Sequence, residues 1–409
     1  MFKTEPIIED ILQNFFNKND SNEFTSLYLV GGDKHESKRE FKDKKIQDQI
    51  DYEIDGGLET KSQIDLLITF AESKLSSESF IDLLLYLGQS TITAGEFSAA
   101  IEIHEKIVSF TMDVPAMHDI TANAYLFLGE IYSRQARWEL SFSFLNMAVK
   151  LFNKNKDNNG RARCENLYGT IYGDKGNLER AYEHFENALS ALQESADSAQ
   201  IGKIDINLGI LNNIMGKYDN AISDLKRALL IFEKLGDLKR IAEIRQNLGM
   251  VYTKIKDYSS AVSEFDLSLD ASFQAKYMQT LGICYISKAY VYTQLKDYAL
   301  AEAFADKAME VSYKINDKLT IAEVYRIKGI VRRSKGDYHV AENYLYTSFR
   351  LNKEAGNQLN IAETNFELGL LFEQTKDKAK SESHFKEALI YYRKIKAKEE
   401  LKEINKHLS

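Results

Sequence analysis

Along most of the chain, apolar residues recur at intervals of three and four, the spacing of a helix with one buried face, and short polar turns interrupt them. The stretch Gln246–Ser268, QNLGMVYTKIKDYSSAVSEFDLS, sets the template: two helices joined by a tight turn at Lys256-Asp257. Leu248, Gly249 and Tyr252 fall on the first helix (A), and Ala261 and Phe265 on the second (B). These positions return along the chain. The glycine position holds Gly88, Gly129, Gly169, Gly209, Gly249, Ala289, Gly329 and Gly369, spaced 41 once and then 40 six times. Three residues on come Tyr132, Tyr172, Tyr252, Tyr292 and Phe372, with Thr91, Asn212 and Arg332 as exceptions. Helix B carries a small residue at Ala100, Ser141, Ala181, Ala221, Ala261, Ala301, Ala341 and Ser381.

The choice of residues has a packing reason. Gly or Ala on both helices lets their backbones approach closely, and larger Tyr, Phe and Leu fill the space toward the next pair. Gly95, Gly176, Gly216 and Gly336 fall at the A–B turn, where a helix end calls for positive φ.

L-G-x-x-Y followed by A-x-x-x-F at a fixed period resembles the tetratricopeptide repeat (TPR), a helix–turn–helix unit. The resemblance spans residues 80–392 as eight copies of period 40, where the commonest TPR has about 34 residues. The extra residues lengthen helix B, through Leu151, Ile231, Val311 and Leu351, and start the next helix A early, at Ile201, Ile241, Leu281, Ile321 and Ile361. Gly236, Asn316 and Gly356 read as C-caps between them. This longer unit is similar to the TPRs of peptide-sensing bacterial regulators and of large signalling scaffolds. The first tryptophan position of the TPR pattern holds Glu165, Asp205, Arg245 and Asn365 instead. The resemblance implies an all-α, right-handed superhelical solenoid of about eight repeats.

Residues 1–57 do not fit the period and are expected to form an irregular N-terminal cap or arm: a short amphipathic helix over 7–16, an extended segment over Phe24–Val30, breakers at Gly31-Gly32-Asp33 and Asp55-Gly56-Gly57, and a charged run over 34–45 between them. Residues 58–79 read as a capping helix, and 393–409 as a second one closing the apolar end of the array.

Composition narrows the function. Only two prolines, Pro6 and Pro115, agree with an all-helical chain. A net charge of -8 argues against nucleic acid as the partner. No apolar run is long enough to span a bilayer, and the N-terminal acids break any secretory signal, so a cytoplasmic, reduced setting without membrane attachment is expected. Cys164 and Cys284 then read as small core residues. No phosphate-binding or dinucleotide-binding glycine motif and no metal-ligand spacing of histidines is found, so neither a catalytic centre, a cofactor nor a metal is expected.

What the repeat offers is a surface. In the family it resembles, the stacked A helices line a concave groove that binds a peptide of another protein. Counting the glycine position as eight, groove positions two, five, nine and twelve include Arg163, Asn166, Lys203, Asn213, Gln246, Tyr290, Arg326 and Arg333, with Asn207 and Asn247 beside them. Such side chains hydrogen-bond a peptide main chain and its carboxylates without fixing one sequence. The groove reads as basic near Arg163 and Lys203, basic again over Arg326–Arg333, then acidic at Glu363, Glu367 and Glu373. Glu243 interrupts the basic series, so a full carboxylate clamp is not expected. The expected function is a non-enzymatic scaffold binding a protein or peptide partner. The alternative is a peptide-responsive regulator.

Overall fold

The computed structural model describes residues 5–29, 57–94, 96–192, 197–315, 317–395 and 397–408. Among them are twenty α-helices and no strand. Three helices, α1 (Glu5–Phe15), α2 (Lys18–Phe24) and α3 (Gly57–Lys74), precede eight hairpins. The hairpins are α4/α5 (Ser77–Ala94, Phe97–Thr111), α6/α7 (His118–Arg134, Trp138–Asn155), α8/α9 (Asn158–Asp174, Leu178–Ala191) and α10/α11 (Ser198–Ile214, Tyr218–Leu235). They continue as α12/α13 (Leu238–Lys254, Tyr258–Gln274), α14/α15 (Met278–Gln294, Tyr298–Lys314), α16/α17 (Lys318–Ser334, Tyr338–Glu354) and α18/α19 (Gln358–Gln374, Lys378–Lys394), and α20 (Lys398–Leu408) ends the array. The fold is an all-α solenoid. Of the extended segment expected over 24–30, the described part is helical: Phe24 ends α2 and Thr25–Leu29 form a π turn. Phe24 is buried against Phe70, so helix packing decides its conformation rather than β-propensity. The expectations for residues 31–56, Gly95 and Asn316 lie outside the described residues.

The chain divides into two compact units, residues 1–171 with 190–195, and residues 172–189 with 196–409. In the first unit, Ile8, Ile11 and Leu12 of α1 and Phe16 just beyond it share one core with Leu67 and Phe70 of α3 and Leu83, Leu84 and Leu87 of α4. In the second, the hairpins repeat one crossing. A Cβ placed on Gly209, Gly249, Gly329 or Gly369 would lie 2.5–2.7 Å from the buried Leu225, Phe265, Leu345 or Phe385. The helices approach this closely only because glycine leaves the room. Where Ser381 replaces Ala on helix B, its hydroxyl donates to the Gly369 carbonyl at 3.0 Å, so the exchange leaves no unpaired group.

Turn chemistry is uniform although the turn residue is not. The left-handed position of the A–B turn holds Gly176, Gly216 and Gly336, but also Lys256, Lys296 and Lys376, φ 61° to 63°. Each turn closes the same way, as where the Asp257 N–H donates to the Tyr252 carbonyl at 2.9 Å. The next helix is then capped. Asp197, Asp237, Asp257, Asp297, Asp317, Asn357 and Asp377 each accept a hydrogen bond from the backbone N–H three residues on, each cap contributing about 1 kcal/mol.

Candidate functional site

Most of the groove candidates lie in the second unit. Here successive A helices (α10, α12, α14, α16, α18) pack on one another more closely than successive B helices do, so the stack curves with its A faces inward. The curvature brings α20 back to α12: Lys254 Nζ lies 3.7 Å from Glu400 Oε1, 146 residues further on.

Polar groups on the inner face connect one A helix to the next. Arg326 of α16 is fixed by Glu323, with Nε to Oε2 at 2.9 Å, and reaches Glu363 of α18 at 3.0 Å. Arg333 of α16 reaches Glu367 of α18 at 2.7 Å. Both arginine side chains are only 11% exposed. Burial works against the charge of Arg326, but the adjacent Glu323 and Glu363 more than offset it and hold its pKa well above the ordinary value. Burial raises the pKa of Glu363, with Arg326 pulling it back down. On α14, burial first and then the Glu367 charge push the Tyr290 hydroxyl up to about 12, so it stays a hydrogen-bond donor at neutral pH. Of the stretches expected in succession, basic Arg326 and Arg333 are therefore paired with acidic Glu363 and Glu367, whereas Glu373 faces His407 of α20 at 3.1 Å. Residues 34 and 37 apart in sequence become neighbours on adjacent A helices.

The remaining candidates divide. Arg163 and Asn166 belong to the first unit, and Arg163 Nη1 donates to Asn123 Oδ1 at 2.7 Å with its guanidinium over Phe127. Lys203 is exposed on α10, and Asn207 and Asn247 are half-buried on α10 and α12. Gln246 is half-buried too, with Nε2 2.7 Å from Met250 Sδ. Asn213 presents a buried Oδ1 with no hydrogen-bond partner, as Arg333 presents a buried Nε with none. Sequence reasoning passed over the apolar contribution at groove positions, where Ile210, Met250 and Ile283 are each 37–40% exposed. Their signal was available in the same position count. The Lys254–Glu400 contact had none, because it depends on how far the stack curves.

Two readings of the sequence gain a structural account. Cys164 and Cys284 are fully buried, and burial pushes both thiols up to about 12, so they are protonated core groups. The position that lacks tryptophan carries polar links to helix B instead. Asp205 pairs with Arg227 at 2.7 Å, Arg245 with Glu264 at 3.0 Å, and Asn365 Oδ1 lies 2.8 Å from His384 Nδ1. Among the described residues no His, Cys, Asp or Glu cluster could hold a metal, and no helix is long and apolar enough to cross a membrane.

Comparison with known proteins bears on the repeat and the fold. Two tetratricopeptide repeat family models match residues 120–194, 200–272 and 320–394, and residues 284–314. No curated protein matches the sequence. Among solved structures, a Rap protein complexed with competence and sporulation factor is similar over 88% of this chain and 99% of that one, with 14% identity and a TM-score of 0.61. The apo form of the quorum sensor NprR from B. thuringiensis is similar over 84% and 99%, with 16% identity and a TM-score of 0.58. Aspartyl phosphate phosphatase F from Bacillus subtilis is similar over 98% and 96%, with 14% identity and a TM-score of 0.57. At these identities the likeness is one of fold.

Proposed function

The chain belongs to the tetratricopeptide repeat family, and from that premise we propose that it is a non-enzymatic scaffold that binds a peptide segment of a partner along the inner A-helix face of its second unit. The observation that carries this reading is a pair of unanswered polar atoms on that face. Asn213 Oδ1 is a buried acceptor and Arg333 Nε a buried donor, both without a partner. Buried polar groups are normally paired, and a peptide main chain supplies one N–H and one C=O per residue. Exposed Ile210, Met250 and Ile283 give its side chains apolar contact. Lys203, Asn207, Gln246, Asn247, Tyr290 and Arg326 complete the proposed site. Arg163 and Asn166, in the first unit, stay candidates for an extension of it.

The test is to select binders from a random peptide library against the whole protein. Binding of the selected peptides should fall about tenfold or more in Asn213→Ala and in Arg333→Gln, the loss expected of one or two buried hydrogen bonds. It should be unchanged in Lys226→Glu/Lys234→Glu, exposed positions on α11. Arg227 is unsuited as a control because it bridges Asp205 and Asp224 at 2.7 Å each. Peptides that ignore both groove changes but lose affinity on α11 would place the partner on the outer face.

A second reading, a peptide-responsive regulator, is favoured by α1 and α3 packing into one core with α4. It is also favoured by near-full-length likeness to a quorum sensor and to a Rap protein bound to a signalling factor. On that reading, a selected peptide should alter amide exchange in α1–α3 as well as in the groove helices.

A further inference from the structure

Four hairpins close the space beside the helix crossing with a stacked pair of rings, one from helix A and one from the residue twelve further on in helix B. Tyr132 stacks on Phe144, Tyr172 on His184, Tyr292 on Phe304 and Phe372 on His384, with interplanar angles of 5–10°. In α10/α11 both rings are missing. Their positions hold Asn212 and Asp224, and Asn212 Nδ2 donates to Asp224 Oδ2 at 2.7 Å. A cleft of about 170 Å³ is left there, lined by Asn212 and Asp224 with Tyr182 and Glu186 of α9 and Arg227 of α11. Asn212 is 2% exposed, and its Oδ1 has no hydrogen-bond partner.

The charges around the cleft do not balance. Arg227 is held by Asp205 and Asp224 together. Glu186 adds a third carboxylate, and the other nearby cation, Lys217, sits over the Tyr182 ring at 5.2 Å. Burial, with the neighbouring Asp224 and Glu186 charges, outweighs Arg227 and keeps the Asp205 carboxyl above its ordinary pKa. We propose that this cleft is a binding site for a planar cation, the guanidinium of an arginine side chain on a partner protein. A guanidinium is flat like the missing ring and carries five N–H donors. Asn212 Oδ1, the Glu186 carboxylate and a free lone pair of Asp224 are acceptors for them, and the Tyr182 ring supplies an aromatic wall. The volume admits the end of the side chain, not a whole amino acid. A free arginine would bring its own carboxylate toward Glu186, which favours a protein-borne group.

The test uses calorimetric titration of the whole protein with N-acetyl-arginine methylamide, its neutral citrulline counterpart and free arginine. The capped arginine should bind saturably and at least about tenfold tighter than the citrulline compound, the difference expected of charge-assisted hydrogen bonds. It should also bind tighter than free arginine. Asn212→Tyr/Asp224→His, which rebuilds the Tyr172–His184 pair in this hairpin, should abolish the binding. Glu186→Gln, at an exposed position, should weaken it about tenfold with an unchanged circular dichroism melt, which covers the case in which the double variant does not fold. Equal heats for the arginine and citrulline compounds, or binding undiminished in Glu186→Gln, would overturn the site. Tighter binding of free arginine would overturn its assignment to a protein partner.

Discussion

Hairpins α10/α11 and α14/α15 share one backbone and differ in what fills it. In α14/α15, Tyr292 and Phe304 stack with centroids 5.4 Å apart, and the ammonium of Lys288, a residue only 5% exposed, lies 4.3 Å from the centre of Phe304. In α10/α11 the same two positions form a buried amide–carboxylate pair beside an open cleft. The crossing survives both fillings because other residues make it: Gly209 and Ala221 in one hairpin, Ala289 and Ala301 in the other, with each alanine fully buried. The helices are thus placed by small residues in contact, and the adjoining pair is free to change chemistry provided that buried polar groups find partners.

The most damaging change should be at the crossing itself. Gly209→Leu begins with a Cβ 2.6 Å from Leu225 Cγ and should cost about 1–3 kcal/mol or more through overpacking. Gly249→Leu, 2.5 Å from Phe265, should behave alike. A melting temperature equal to that of the unchanged protein would mean that glycine is not what sets the approach.

Next comes the filling. Asn212→Ala removes the amide donor from Asp224, which is 8% exposed, and should cost about 1–3 kcal/mol. The loss should be smaller in an Asn212→Ala/Asp224→Ala chain than the two single losses summed, and a double-mutant cycle in urea measures this. Strict additivity would show that the pair does not act as a unit.

A pH series separates fillings that titrate from those that do not. In α18/α19 the ring on helix B is His384, stacked on Phe372, and burial lowers its pKa. The unfolded chain binds a proton at about pH 6.5 that the folded His384 resists, so stability is lost as pH falls below that value. Burial lowers the pKa of His104 as well, so the series belongs in a His104→Gln background. Amide protection factors in α18/α19, the exchange rates corrected for the intrinsic pH dependence of exchange, should fall between pH 7 and 5, and a further His384→Phe change should reduce that dependence. In α14/α15, where the ring is Phe304, no such histidine contribution enters.

The smallest effect should come from Gly282 of α14, outside the crossing. A Cβ there meets nothing closer than 3.4 Å, at Ser312 Oγ. Gly282→Ala should therefore gain about 0.5–1 kcal/mol from helix preference alone, read as a raised melting temperature. A loss of stability would show that this position is as tightly packed as Gly209.

Sequence by itself determined the repeat: its period, the helix pairs and the crossing residues. Each of these is a local rule, in which helical spacing places Gly249 opposite Ala261 and Phe265 within a single hairpin. It also placed Asn212 among the exceptions to the aromatic pattern, without saying what the exception leaves behind. The tertiary structure alone decided the rest. Arg326 meets Glu363 and Arg333 meets Glu367 because adjacent A helices stack in register, so charges that read as separate blocks neutralise one another across the stack. Lys254 meets Glu400 because small displacements between repeats accumulate until the eighth hairpin's cap returns to the fifth hairpin. The cleft beside Asn212 exists because Tyr182 and Glu186 of the preceding helix B wall a space that two absent rings would have filled. Periodicity fixes which side chains face inward within one repeat, whereas pairing between repeats depends on the rise and turn of the stack, which no single repeat encodes.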